Sequence, residues 1–293
     1  MKKLYGTGVA LVTPILKSGK VDYASLTNLL EHTATGVDYF VVMGTTGESA
    51  TVSKGEKKEI VDFVLKNNPK KLPIVFGLGG NNTAEVIGQI KEMKWTGITA
   101  MLSVSPYYNK PSQEGIVQHF AAIADVAPVP IILYNVPGRT SSNLTAATTL
   151  RLANHDNIIG VKEASGNLEQ CMRIARQAPK DFMLISGDDL LTAPIMAMGG
   201  VGVISVLANA YPKIFSSITK AAFNKDFLSA SKETFKLLDV NGLMYEEGNP
   251  TGVKYLLELM KVCKRYTRLP AVPPSEELAE RIKKAWKGIG GKR

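Results

Sequence analysis

Eight times between residues 8 and 206 a short apolar run ends in small or polar residues and gives way to an amphipathic stretch. Apolar runs of this length, bounded by turn residues, read as buried strands rather than as core helices. The strands fall at 8–12, 39–43, 73–76, 98–104, 130–134, 158–162, 182–185 and 202–206. The stretches between them carry helix signals. Asp22 precedes a stripe of Leu26, Leu29 and Leu30, and Ser53 with Glu56 makes a capping box ahead of Ile60, Phe63 and Val64. Further helices are expected near 84–93, 115–126, 145–153 and 168–176, and Asp188 or Asp189 can cap one running to Met198. A strand–helix unit repeated eight times in about 220 residues matches a closed parallel barrel. The competing layout is a doubly wound open sheet. Against it, Gly77-Leu78-Gly79-Gly80-Asn81-Asn82 fails the dinucleotide fingerprint, because Asn82 stands where the last glycine or alanine belongs.

The chain of 293 residues is longer than such a barrel needs. From Pro212 onward it reads as helical, broken at Pro250 and between Pro270 and Pro274. Leu256, Leu257, Leu259 and Met260 make this part too apolar for a loose tail, and suit helices packed on the barrel or on a neighbouring subunit. The expected architecture is therefore α/β: a catalytic (β/α)8 TIM barrel over residues 1–224, then a C-terminal helical domain over 225–293. Lys292 and Arg293 are expected to be a loose end.

The net charge of +9 is spread over scattered lysines and arginines, with no basic run interleaved with aromatics. That speaks against nucleic acid and leaves a general pull on small anions. His32, His119 and His155 show no metal-ligand spacing, so no metal site is expected. Cys171 and Cys263 form no CxxC pair, which suits a reduced, cytoplasmic chain. Met1-Lys2-Lys3 ahead of an apolar strand has the order of a signal peptide, but the stretch is short and Thr13-Pro14 interrupts it. No run approaches the ~18 apolar residues that a membrane span requires.

In a parallel barrel, chemistry sits where strands end and the following loops begin. Thr45 and Thr46 follow the second strand, Tyr107 and Tyr108 the fourth, Tyr134 ends the fifth with Arg139 just beyond, and Lys162 ends the sixth. Each has a plain structural reading. Gly44-Thr45-Thr46-Gly47 suits a simple turn, Tyr107-Tyr108 a surface pair, Tyr134 a core tyrosine, Arg139 a surface ion pair, and Lys162 a lysine reaching to water. Together they bring hydroxyls, a guanidinium and an amine to one mouth. Period-two alternation puts Tyr134 on the face of Ile132 and Lys162 on the face of Gly160, which leaves room beneath the lysine. A free lysine is protonated at neutral pH; burial disfavours the cation and frees the amine to attack a carbonyl carbon. A hydroxyl chain of Tyr134, a threonine and a second tyrosine can move the protons of imine formation without a carboxylate beside the cation. Paired threonine hydroxyls suit the carboxylate of a 2-oxo acid, and the planar fork of Arg139 suits that of a second substrate. This chemistry needs no metal and no organic cofactor.

Three stretches carry a resemblance: Gly44-Thr45-Thr46-Gly47-Glu48, Tyr134-Asn135-Val136-Pro137-Gly138-Arg139-Thr140 and Gly160-Val161-Lys162-Glu163-Ala164-Ser165. They resemble the signatures of the dihydrodipicolinate synthase family, among the class I aldolases that include N-acetylneuraminate lyase. The similarity runs from Gly6 to Arg268-Leu269-Pro270, and Pro137-Gly138-Arg139-Thr140 sets the synthases apart from their lyase relatives. It implies condensation of pyruvate with L-aspartate 4-semialdehyde to 4-hydroxy-tetrahydrodipicolinate, in lysine and diaminopimelate biosynthesis. Lys162 would form the Schiff base. Tyr134, Thr45 and Tyr108 would relay protons, with Tyr108 reaching into a partner subunit. Thr45 and Thr46 would hold the pyruvate carboxylate, Arg139 the semialdehyde, and the backbones of Gly187 and Ile204 would line the site. A homotetramer built as a dimer of dimers is implied. Ser49, Ala50, Asn81, Glu85 and Tyr107 match the family's lysine-inhibition site, but Lys54 and Lys57 put cations beside it, so inhibition by lysine is expected to be weak or absent. The rival readings are a sister aldolase that cleaves a sugar acid such as N-acetylneuraminate, and a non-catalytic barrel that binds small anions.

Overall fold

Eight parallel strands close on one another in chain order, the last pairing with the first. They are β1 (Gly6–Ala10), β2 (Tyr39–Val42), β3 (Ile74–Gly77), β4 (Ala100–Val104), β5 (Ile131–Asn135), β6 (Ile158–Glu163), β7 (Met183–Ser186) and β8 (Gly202–Ser205). The computed structural model describes residues 2–291, so Met1 and the expected tail Lys292–Arg293 lie outside it.

Alternation sorts each strand between two cores. Tyr39, Val75, Leu102, Ile132, Ile185 and Ile204 fill the barrel interior. Val9, Phe40, Met101, Leu133 and Val161 face the helices outside. The expected caps form: Asp22 accepts from the Ser25 amide ahead of the helix Tyr23–Thr33, and Ser53 and Glu56 close a capping box on the helix Lys54–Lys66. Ile60 and Val64 are buried as expected, whereas Phe63 is half-buried and packs its ring at a tilt against Tyr23.

Three local expectations fail, each because a long-range contact wins. The first strand begins at Gly6, earlier than its apolar run, because the Gly6 amide bonds Val201 O and the Thr7 amide bonds the Asp38 carboxylate. Neither Asp188 nor Asp189 caps a helix. That helix is Thr192–Ala197, entered through Leu191 without a side-chain cap. Asp188 instead accepts from the Leu190 amide, and Asp189 turns inward to accept from the Leu207 amide after β8. Nor does Gly160 make room for the lysine. A Cβ there would lie 2.6 Å from Met183 O, so the missing side chain lets β7 approach β6.

Beyond β8 the chain is helical. The expected boundary at 224/225 falls between the helices Pro212–Phe223 and Phe227–Phe235. Leu256 and Leu257, in the helix Thr251–Leu259, are fully buried in the same apolar cluster as the barrel's outer face. No helix among the described residues is long and apolar enough to cross a membrane, and no group among them could hold a metal ion. Both cysteines are free and buried.

Candidate active site

Lys162 and Tyr134 are cross-strand partners, in register at the C-terminal ends of β6 and β5. Both side chains are buried, and the Lys162 ammonium lies 4.3 Å from the Tyr134 ring centroid. The next pair along the strands, Asn135 and Glu163, faces the other way. There the Glu163 carboxylate, 1% exposed, accepts from Asn135 Nδ2 (3.0 and 3.1 Å), the Ser165 amide (2.9 Å) and Gln170 Nε2 (2.8 Å). Asn135 in turn donates to Asn143 and accepts from the Leu144 amide. These buried amides about a carboxylate clip β5 to β6 directly behind Lys162 and Tyr134. Position along the strand was the available cue, since Asn135 and Glu163 each follow a candidate residue.

The amine opens on a cavity of about 490 Å³. Tyr134, Thr46, Arg139 and Gly187 border it, as do Tyr245 and Asn249 from the C-terminal region. Gly187 is required where it stands, because a Cβ there would lie 3.1 Å from Lys162 Cε and 2.6 Å from Ala164 Cβ. Ile204 is fully buried within the barrel interior rather than on this cavity. Asp189 is fully buried, and burial pushes its carboxyl up to about 6 against the opposing Ser205 hydroxyl and Leu207 amide.

Thr45 and Thr46 occupy a 3-10 turn, Thr45–Gly47, after β2. The residues flanking its approach and exit, Met43 (φ 60°) and Glu48 (φ 57°), both have left-handed backbones. Thr46 is buried and its hydroxyl accepts from Asn249 Nδ2 at 3.0 Å. Thr45 borders a small cavity of about 60 Å³ that Tyr134 also borders. Tyr134 thus stands between the lysine cavity and the space next to Thr45. Tyr108 is not part of this group: it is 83% exposed, with φ 73°, and projects from the loop after β4.

Ser49, Ala50, Asn81, Glu85 and Tyr107 come together in a neighbouring cavity of about 680 Å³, which Arg139 and Thr45 also border. Of the two cations expected beside it, Lys57 faces this cavity. Lys54 instead borders a separate hollow and lies 3.9 Å from Glu92. Burial holds the Lys57 ammonium below the usual lysine range, with Glu85 pulling the other way.

One contact had no obvious mark in the sequence. Lys254 is fully buried and ion-paired to Glu48, on the residue that ends the Thr45–Gly47 turn. The cue was a lysine inside the apolar run from Val253 to Leu257.

Known proteins share both the sequence and the shape. The model of the dihydrodipicolinate synthetase family matches residues 3–289. The 4-hydroxy-tetrahydrodipicolinate synthase of Cytophaga hutchinsonii is 51% identical over 286 residues, covering 97% of this chain and 96% of that protein. Among solved structures, the chloride-inhibited dihydrodipicolinate synthase of Acinetobacter baumannii, complexed with pyruvate, superposes with a TM-score of 0.95 at 39% identity, covering 99% of this chain and 100% of that one. The enzyme of Cyanidioschyzon merolae with lysine bound gives 0.94 at 36% identity and covers 99% of both chains.

Proposed function

The chain belongs to the dihydrodipicolinate synthetase family, and from that membership we propose that it condenses pyruvate with L-aspartate 4-semialdehyde to 4-hydroxy-tetrahydrodipicolinate and water, a step of lysine and diaminopimelate biosynthesis. The observation that carries this reading is the buried Lys162 amine above the Tyr134 ring, opening on a cavity that Arg139 also borders. The Lys162 amine attacks C2 of pyruvate, the carbinolamine oxygen takes a proton and leaves as water, and an iminium remains. Loss of a C3 proton gives the enamine, whose carbon attacks the aldehyde of the second substrate. The amino group of that substrate then attacks the imine carbon, expels the Lys162 amine and closes the ring.

Tyr134 is adjacent to the reacting nitrogen and borders a small cavity shared with Thr45, so these two hydroxyls are our candidates for carrying the protons. Thr45 and Thr46 hold the pyruvate carboxylate in this reading, with Gly187 shaping the cavity and Ile204 packing the barrel interior. Arg139, exposed on the mouth of the cavity, pairs with the carboxylate of the semialdehyde. Tyr108, exposed and outside its own lysine cavity, completes the relay of a neighbouring subunit within a homotetramer in this reading. We assign the barrel to 1–224 and the helical region to 225–293, and place the enzyme in the cytoplasm. The sequence of steps calls for no metal or organic cofactor.

Borohydride reduction in the presence of pyruvate, read by mass spectrometry and paired with a semialdehyde assay, tests this. One pyruvate-derived adduct on Lys162 is expected, and both adduct and turnover should be lost in Lys162→Met. An unmodified Lys162, or near-parental turnover in the variant, would overturn the reading.

A further inference from the structure

The Thr45–Gly47 turn is held by a residue 206 positions after Glu48. Lys254, 0% exposed, donates to Glu48 and to Tyr266 O (2.8 Å). The second Glu48 oxygen accepts from the Arg268 amide at 2.9 Å. Arg268 goes on to bind Glu56 (2.5 and 2.9 Å) and Thr51 O (3.0 Å), both on the segment that follows the turn. Asn249 reaches the Thr46 hydroxyl from the same C-terminal region.

The placement of this pair is informative. Left-handed backbone at a non-glycine residue persists only where the surroundings over-determine it, and Glu48 is such a residue. Its carboxylate is tied to a lysine that has no access to water. Burial alone pulls the Lys254 ammonium below the usual lysine range, and the Glu48 charge opposes that shift. An ion pair this deep is a poor source of stability, because neutral groups of similar volume often fold as well. Fixing one conformation of a strained turn is a use that neutral groups do not supply.

We propose that the Lys254–Glu48 pair is a positioning device: it fixes the Thr45–Thr46 turn against Tyr134 and Lys162, and its contribution lies in turnover rather than in folding. The C-terminal helices thereby become part of the catalytic apparatus without touching substrate through this pair. The proposal rests on the reading of Thr45 as a member of the proton relay.

The test separates folding from turnover. Lys254→Met alone strands the Glu48 charge and should lower Tm. The double variant Lys254→Met with Glu48→Gln removes both charges and should recover a cooperative melt near the parental Tm. It should still form the pyruvate adduct on Lys162, yet kcat should stay down by about tenfold or more, as expected when reacting groups are held loosely. A double variant with parental kcat overturns the proposal. Should the double variant not fold, Glu48→Asp keeps the charge and shortens its reach; a several-fold fall in kcat at unchanged Tm supports the proposal, and parental kcat overturns it. Thr45→Val in the parental background tells the two failures apart. Parental kcat there strikes the reading of the site, and the proposal with it. A fall in Thr45→Val beside parental kcat in the double variant strikes the positioning role alone.

Discussion

A Cβ added at Gly187 would lie 3.1 Å from Lys162 Cε, 3.0 Å from Glu163 O and 2.6 Å from Ala164 Cβ. Two of those neighbours can give little, since Glu163 O accepts from the Gly187 amide at 2.7 Å and Ala164 has no rotamer to change. Moving the lysine relieves only its own 3.1 Å contact, so Gly187→Ala should also shift the end of β6 and carry the amine off its place above Tyr134. Overpacking of this kind costs about 1–3 kcal/mol. A displacement of about 1 Å at the reacting atom can cost about 10²-fold in rate. We therefore expect modest destabilisation with a fall in kcat near that size, checked by thermal melts beside steady-state assays; a melt that collapses while kcat holds would refute the steric argument. Asp189 offers a pH test. Its folded carboxyl titrates at about 6 against 3.8 as the reference value, so the folded state binds the proton more tightly. That contribution to stability is fully present below the unfolded value and is lost as pH rises through about 6. The stability of Asp189→Asn relative to the parent should accordingly improve between about pH 4 and about pH 7 in urea titrations. A difference that stays flat across that window would contradict the burial assigned to this carboxylate.

At the level of elements, what the sequence revealed and what it hid divide along one physical line. Strands and caps were legible because their signals are local: the apolar runs that became β2 to β8, and Asp22 and Ser53 with its Glu56 partner. The placement of Lys162 and Tyr134 side by side was legible because both close an apolar run at a strand end. Hidden were the contacts that join distant elements. Asp189 looked like a helix cap and instead serves the Leu207 amide 18 residues later. Glu163, which the sequence did not single out, ties β6 to β5 through Asn135 and to the following helix through Gln170. The residues expected at an inhibition site illustrate both halves. Ser49, Ala50, Asn81, Glu85 and Tyr107 do share one cavity, but Lys57 alone of the two expected cations faces it. With Glu85 already beside one ammonium, a free lysine would meet a partly neutralised carboxylate and a like charge. We expect weak inhibition by added lysine, tightened in Lys57→Ala; a parental inhibition constant below about 1 mM, some 4 kcal/mol of binding, would overturn this.

Across the whole molecule, the region after residue 224 is continuous with the barrel in its contacts. Leu256 and Leu257 belong to the same apolar cluster as β1, β2 and β6. Tyr245 and Asn249 border the lysine cavity, and Lys254 and Arg268 grip Glu48 and Glu56. The 224/225 boundary is then topological rather than energetic: either side without the other would leave apolar surface bare and buried charges unpaired. Arg268 supplies a further sign. Its hydrogen bonds hold the Glu56 carboxyl down at about 2, against a reference value of 4.5. A depressed carboxylate stabilises the folded state above the unfolded value and loses that contribution as pH falls through the folded one. Acid should therefore loosen the junction between the two regions. At neutral pH, calorimetry should show one transition whose direct and van't Hoff enthalpies agree, if the two regions unfold as one unit. Replacing Arg268 with Met should lower Tm at neutral pH, and that effect should shrink as pH falls from about 4.5 toward about 2, where Glu56 becomes protonated in the folded chain as well. Two resolved transitions at neutral pH, one from each side of residue 224, would show that the helical region folds on its own and that these contacts do not bind it to the barrel.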